Sequence, residues 1–164
     1  MVQASSRQTH CSNGFSHARA DDAGRRDLTV YLDTSVLVSL LHEDHHTVRV
    51  LDWAGGVDAL VLSTWTATEF TSALSVQSRM QRLIDRDRRK LELDLDHWLS
   101  TRVVLDVLNS DIIAARRLVR NDVRLRAPDS IHLAIAVRHG CVLATLDADM
   151  AAVARDIGLD IVVP

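Results

Sequence analysis

Lysine is all but missing from this chain. Lys90 is the single one, so nearly all the positive charge is arginine, the better residue for planar, two-pronged contacts with phosphate. Cysteine is scarce as well. Cys11 lies in a polar stretch and Cys141 opens an apolar run. Two such residues exclude a disulfide framework and point to free thiols in a reducing compartment, the cytoplasm. No apolar run approaches the roughly 18 residues a membrane span needs, so no membrane segment is expected. The first 20 residues lack the apolar core of a signal peptide. There is no hairpin signal, no internal repeat and no low-complexity tract beyond the N-terminal tail. Aromatics make up only 4% of the chain, so little stacking on nucleic-acid bases is expected.

What is present describes an ordinary globular protein. The chain has 164 residues, 47% hydrophobic and 25% charged, which suits one domain with some tail. A domain of this size buries roughly two-thirds of its unfolded surface and folds without a staple. The net charge of −3 argues weakly against a nucleic-acid partner, but net charge hides patterning. Residues 1–27 are rich in Ser, Arg, Asp and small residues. They are expected to be a disordered tail, or sequence that precedes the true start. The folded unit is expected over residues 28–164.

Short apolar segments alternate with helical ones from there on. Strands are expected at Val30–Leu32, Ala59–Leu62, Val103–Leu108, Cys141–Leu146 and Leu159–Val163. Between them helices are expected at Ser35–His42, at about His45–Trp53, from about Thr66, at Leu83–Leu99, at Asp111–Asn121 with Ser110 as cap, from Pro128 to Gly140, and from Asp147 to about Ile157. That alternation predicts an α/β fold, a mainly parallel central sheet with helices on both faces. In such sheets active sites lie at the carboxyl ends of the strands.

Four acids stand out by placement. Asp33 follows the first strand and Asp147 the fourth. Glu69 and Asp129 are expected in the first turns of helices. Taken singly, each reads equally well as a helix cap or as an acid complementing a helix dipole. Together they would crowd one edge of the sheet and repel, which calls for a hard divalent cation. Oxygen-only ligation suits Mg²⁺ or Mn²⁺, and such an ion activates water and offsets charge on a phosphorane.

The segments Leu32-Asp33-Thr34-Ser35, Thr68-Glu69, Ala127-Pro128-Asp129-Ser130-Ile131-His132-Leu133-Ala134 and Thr145-Leu146-Asp147 resemble the PIN-domain nucleases, and among them the VapC-type toxins of bacterial toxin–antitoxin pairs. The resemblance implies a PIN-like three-layer sandwich and an Mg²⁺- or Mn²⁺-dependent endoribonuclease. Asp33, Glu69, Asp129 and Asp147 would be its metal-holding, catalytic acids, and Ser35 and Thr145 their hydroxyl supports. It also implies a homodimer silenced by a cognate antitoxin. Asp149 reads either as an outer acid of the site or as a solvated helix acid.

Two basic stretches would position RNA. One runs from Arg79 to Lys90. The other, Arg116, Arg117, Arg120, Arg124 and Arg126, lies just before Asp129. Each reads also as a solvated helix face. His42-Glu43-Asp44-His45-His46 fits the letter of a zinc-protease motif, but Glu43-Asp44 looks like a break between two helices, so one face would not carry both histidines. His132 is expected to be packed on its helix. Two rival functions stand beside the nuclease. One is a non-catalytic PIN-like module that binds RNA or protein. The other is a phospho-acceptor or phosphatase domain, which the lone Lys90 and the Ser at position 35 disfavour.

Overall fold

Val30, Tyr31 and Leu32 are three bulky residues without a polar break, and an aspartate follows them. Such a segment suits a strand covered on both sides that leaves into a helix. In the computed structural model, which describes residues 29–164, this is β1 (Val30–Leu32), buried along its whole length. Asp33 caps α1 (Thr34–Leu41) by accepting the Val36 N–H. The chain continues through α2 (Thr47–Ala54), β2 (Leu60–Ser63), α3 (Thr64–Arg79), α4 (Asp85–Thr101), β3 (Val104–Leu105), α5 (Asn109–Asn121), α6 (Ala127–His139), β4 (Val142–Ala144), α7 (Ala148–Asp156) and β5 (Ile161–Val162). The expectations for residues 1–28, including the tail and Cys11, lie outside the described residues.

The five strands form one sheet in the order β3-β2-β1-β4-β5, and every pairing is parallel. Tyr31 lies opposite Val61 on one side and Leu143 on the other. Strand residues alternate between faces, and the two cores follow that alternation. Tyr31, Val61 and Leu143 pack with Ala115, Leu133, Met150 and Val153 of α5, α6 and α7. Val30, Leu32, Leu60 and Leu62 pack with Val36, Val50, Phe70, Leu74, Leu91 and Leu95 of α1 to α4. The result is a three-layer sandwich. Strand order reverses between β1 and β4, so the carboxyl ends of these two strands flank the crevice where such sheets bind ligands.

Several boundaries differ from expectation, for local reasons. Helix α3 starts at Thr64 rather than Thr66, because the Ser63 hydroxyl accepts the Thr66 N–H and caps it. That puts Glu69 in the second turn rather than the first. Ser110 does not cap α5. It lies inside the first turn, and the Asp111 carboxylate accepts the Leu108 N–H at 2.8 Å instead. Helix α4 begins at Asp85, while Leu83 is buried ahead of it. The edge strands β3 and β5 are two residues each, since each has a partner on one side only. No helix among the described residues is long and apolar enough to cross a membrane.

Candidate functional site

Asp33 is 2% exposed, and a buried carboxylate must find donors. Its Oδ1 accepts the Val36 N–H at 3.0 Å and the Ser35 hydroxyl at 2.7 Å. Its Oδ2 accepts the Thr145 hydroxyl at 2.7 Å. Both hydroxyls are themselves held. Ser35 Oγ accepts the Leu146 N–H and Thr145 Oγ1 accepts the Asp147 N–H, each at 3.0 Å. Two hydroxyls thus tie the carboxylate at the end of β1 to the turn that follows β4. Burial pushes the Asp33 carboxyl above the usual carboxylate range. The nearby His132 and the three donors pull the other way without cancelling it.

Glu69 reaches the same edge from α3. Its Oε2 accepts the Thr34 hydroxyl at 2.7 Å and lies 2.6 Å from His132 Nε2. Burial alone would raise its carboxyl, but the His132 and Thr34 contacts outweigh that and hold it below the usual range. The other ring nitrogen of His132, Nδ1, lies 2.7 Å from the Tyr31 hydroxyl. Asp129, half-buried at the third position of α6, accepts the Arg126 N–H on Oδ2 at 3.0 Å. Burial pushes its carboxyl up, and the charge of Asp147 adds to the rise. Asp147 is exposed and caps α7, with Oδ1 accepting the Met150 N–H at 2.7 Å.

Asp33 and Asp147 are therefore helix N-caps in fact, while Asp129, the third residue of α6, reaches back to the N–H of the cap residue Arg126. Capping occupies one oxygen of Asp129 and of Asp147. Among the described residues the other oxygens, Asp129 Oδ1 and Asp147 Oδ2, have no hydrogen-bond partner. Three residues of this edge were not singled out from the sequence as parts of a site: Tyr31, Thr34 and, beyond its packing, His132. The only signal was helical spacing, since His132 follows Asp129 by three and shares its face of α6. An opening of about 350 Å³ adjoins Asp147, lined also by Thr34, Ser35, Asp44 and His46.

The donor chemistry fits a hard divalent cation. The set offers carboxylate oxygens, three of them without partners among the described residues (on Glu69, Asp129 and Asp147), and two carboxyls whose pKa is raised by burial. Among the described residues no three acidic, imidazole or thiol groups are gathered as a ready-made cage. Mg²⁺ does not need one. It keeps several waters and takes one or two carboxylates besides substrate phosphate.

A family model described as PIN domain matches residues 30–156. The chain belongs to the PIN-domain family. Solved structures of similar fold include FitAcB from Neisseria gonorrhoeae, with TM-score 0.65 at 19% identity, covering 83% of this chain and 98% of that one. VapC20 of Mycobacterium tuberculosis, described as a sarcin-ricin loop cleaving toxin, has TM-score 0.63 at 20% identity and covers 83% and 100%. The DNA-bound VapBC of Salmonella typhimurium has TM-score 0.59 at 16% identity and covers 82% and 97%. No curated protein sequence matches the chain.

The basic residues of this PIN domain divide. Arg124 is paired with Asp122 at 2.5 Å and with Asp156 at 2.6 Å. Arg116, Arg117, Arg120 and Arg126 are exposed. Arg116 and Arg120 line a groove of about 290 Å³ between α5 and α6, with Ala127 and Ser130 on its far wall. In the first basic stretch Arg88 is engaged by Asp85 and Glu92. His42 and His46 fall at the end of α1 and just before α2, so no helix face of this PIN domain carries both.

Proposed function

We propose that this PIN domain is a metal-dependent endoribonuclease and the toxin of a toxin–antitoxin pair. The observation that carries the reading is the Asp33 carboxylate. It is buried at the switch point of the sheet and cross-braced by Ser35 and Thr145; Glu69 is bonded to the next residue, Thr34, and Asp129 lies near enough to Asp147 to feel its charge. Asp33, Glu69, Asp129 and Asp147 are the acids that would hold Mg²⁺ or Mn²⁺. When bound, the ion supplies a water of lowered pKa and offsets charge on the phosphate. Ser35 and Thr145 keep the Asp33 carboxylate in one orientation. Arg116, Arg117, Arg120 and Arg126 meet the RNA backbone beside Asp129, and Arg124 contributes less because two acids already satisfy it. Solved structures of similar fold include a toxin–antitoxin complex from Klebsiella pneumoniae and FitAB bound to a DNA fragment, which supports a cognate antitoxin as partner. A homodimer in the cytoplasm completes the reading.

Purified protein should cleave RNA with Mg²⁺ or Mn²⁺ and stop on addition of EDTA. Asp33→Asn or Asp129→Asn should lower that cleavage by at least about 100-fold, the upper end of what losing even a supporting residue costs. Intact cleavage in either variant would refute the site. A second reading, a non-catalytic PIN-like module that binds RNA or protein, is favoured by the lack of a ready-made cage among the described residues. Calorimetry with no Mn²⁺ binding at millimolar metal would select it.

A further inference from the structure

We propose that His132 is a positioning residue for Glu69: its imidazole, fixed from behind by Tyr31, sets the direction in which the Glu69 carboxylate faces the metal. This rests on the reading of Glu69 as one of the metal-holding acids.

The three aspartates of the site are each held by a backbone N–H of their own turn: Asp33 by Val36, Asp129 by Arg126, Asp147 by Met150. Glu69 has no such donor. Both of its partners are side chains, the Thr34 hydroxyl and His132. A glutamate also has one more rotatable bond than an aspartate, so its direction depends wholly on those two contacts. Both fall on Oε2, at 2.7 and 2.6 Å. Among the described residues Oε1 is left without a partner, and this is the atom available to a cation.

The hydrogen bonds behind His132 form a complete chain. The Glu69 carboxylate only accepts, so Nε2 carries the proton between them. A ring protonated at Nε2 alone accepts at Nδ1 from the Tyr31 hydroxyl across 2.7 Å, and a ring protonated at both nitrogens donates to the Tyr31 oxygen instead. The Tyr31 oxygen accepts in turn from the Ser63 hydroxyl at 2.7 Å, whose oxygen accepts the Thr66 N–H at 3.0 Å. The chain begins at the cap of α3, passes through β1 and α6, and returns to α3 at Glu69. His132 is 2% exposed, so water does not compete for either nitrogen. A histidine present only for packing needs the shape of its ring. This one has both nitrogens engaged, one of them on a proposed metal ligand, as supporting residues of metal sites do.

The test uses the full chain and Mn²⁺ as probe, with calorimetric titration, a metal-free melting curve and the kcat/KM split on RNA. His132→Asn can keep a group near Tyr31 but does not reach Glu69. His132→Gln places an amide nitrogen near the position of Nε2. His132→Asn is expected to weaken Mn²⁺ binding 10- to 100-fold and to lower kcat with KM for RNA unchanged. His132→Gln is expected to restore most of the affinity while melting no higher than the Asn variant. Wild-type Mn²⁺ affinity in His132→Asn would overturn the proposal, as would a folded Gln variant no better than Asn. Where neither variant folds, Tyr31→Phe decides. Several-fold weaker Mn²⁺ binding supports the proposal and unchanged binding overturns it. A wild-type chain that binds no Mn²⁺ overturns this proposal together with the nuclease reading. A wild-type chain that binds while His132→Asn binds equally well removes this proposal alone.

Discussion

A buried carboxylate that accepts three hydrogen bonds is sensitive to the loss of any one of them, because what remains is a desolvated charge with an unmet lone pair. Thr145→Val takes the only donor from Asp33 Oδ2 and keeps the side chain's shape. It should cost about 1–3 kcal/mol of folding stability in urea denaturation. Metal-dependent cleavage should fall about 10- to 100-fold in the same variant. Retained activity with lost stability would mean that the hydroxyl only fills the core. Asp33 and Asp147 could be picked out from the sequence because a strand followed by Asp is a local signal. The Tyr31–His132–Glu69 chain could not. Its members are 101 and 63 positions apart, and nothing local in a tyrosine or a histidine says which nitrogen meets which oxygen.

Helix α6 shows how one element serves both stability and site. Pro128 lies in its first turn, where a missing N–H costs nothing. Asp129 and His132 share the face toward the site. At the far end Arg138 clamps the buried Asp111 of α5, with Nε at 2.7 Å and Nη2 at 2.9 Å from its two oxygens. Burial would raise the Asp111 carboxyl, but Arg138 and the Leu108 N–H more than offset it and hold it low. A group whose pKa is depressed on folding stabilises above its unfolded value, about 3.9 for Asp. Its contribution is complete above about pH 4 and is lost as pH falls through the folded value. Asp111→Asn should therefore melt lower than wild type near pH 7, and the gap should narrow in acid. Gly140 ends the helix at φ +60°, with open space where a Cβ would sit. Gly140→Ala should cost about 1 kcal/mol from backbone conformation alone, with cleavage unchanged. Both ends of α6 were legible because Pro and Gly punctuate locally. The extents of β3 and β5 were not, since Val107 and Leu159 have strand-like side chains and pack against the core without pairing. Ser63 was not legible as the cap of α3, because the strand is expected to end at Leu62 and the helix to start at about Thr66.

At the scale of the molecule, a cation that binds the folded site and not the unfolded chain must raise stability. Mn²⁺ at a hundred times its Kd should add about 2.7 kcal/mol to the unfolding free energy. Asp129→Asn should lose that gain, and EDTA should abolish it in wild type. The parallel sheet was foreseeable from strands separated by helices, because parallel neighbours require crossovers. The strand order was not, because nothing in β4 alone says that it docks beside β1. That docking has a consequence for how the protein is made. The hydroxyl that secures Asp33 is supplied 112 residues downstream, and Asp129 and Asp147 also lie late in the chain. A ribosome must extrude the chain past Asp147 before these groups meet. An incomplete chain still attached to it carries Asp33 without its brace and without the acids opposite. The timing of synthesis thus keeps the site incomplete until that segment has emerged.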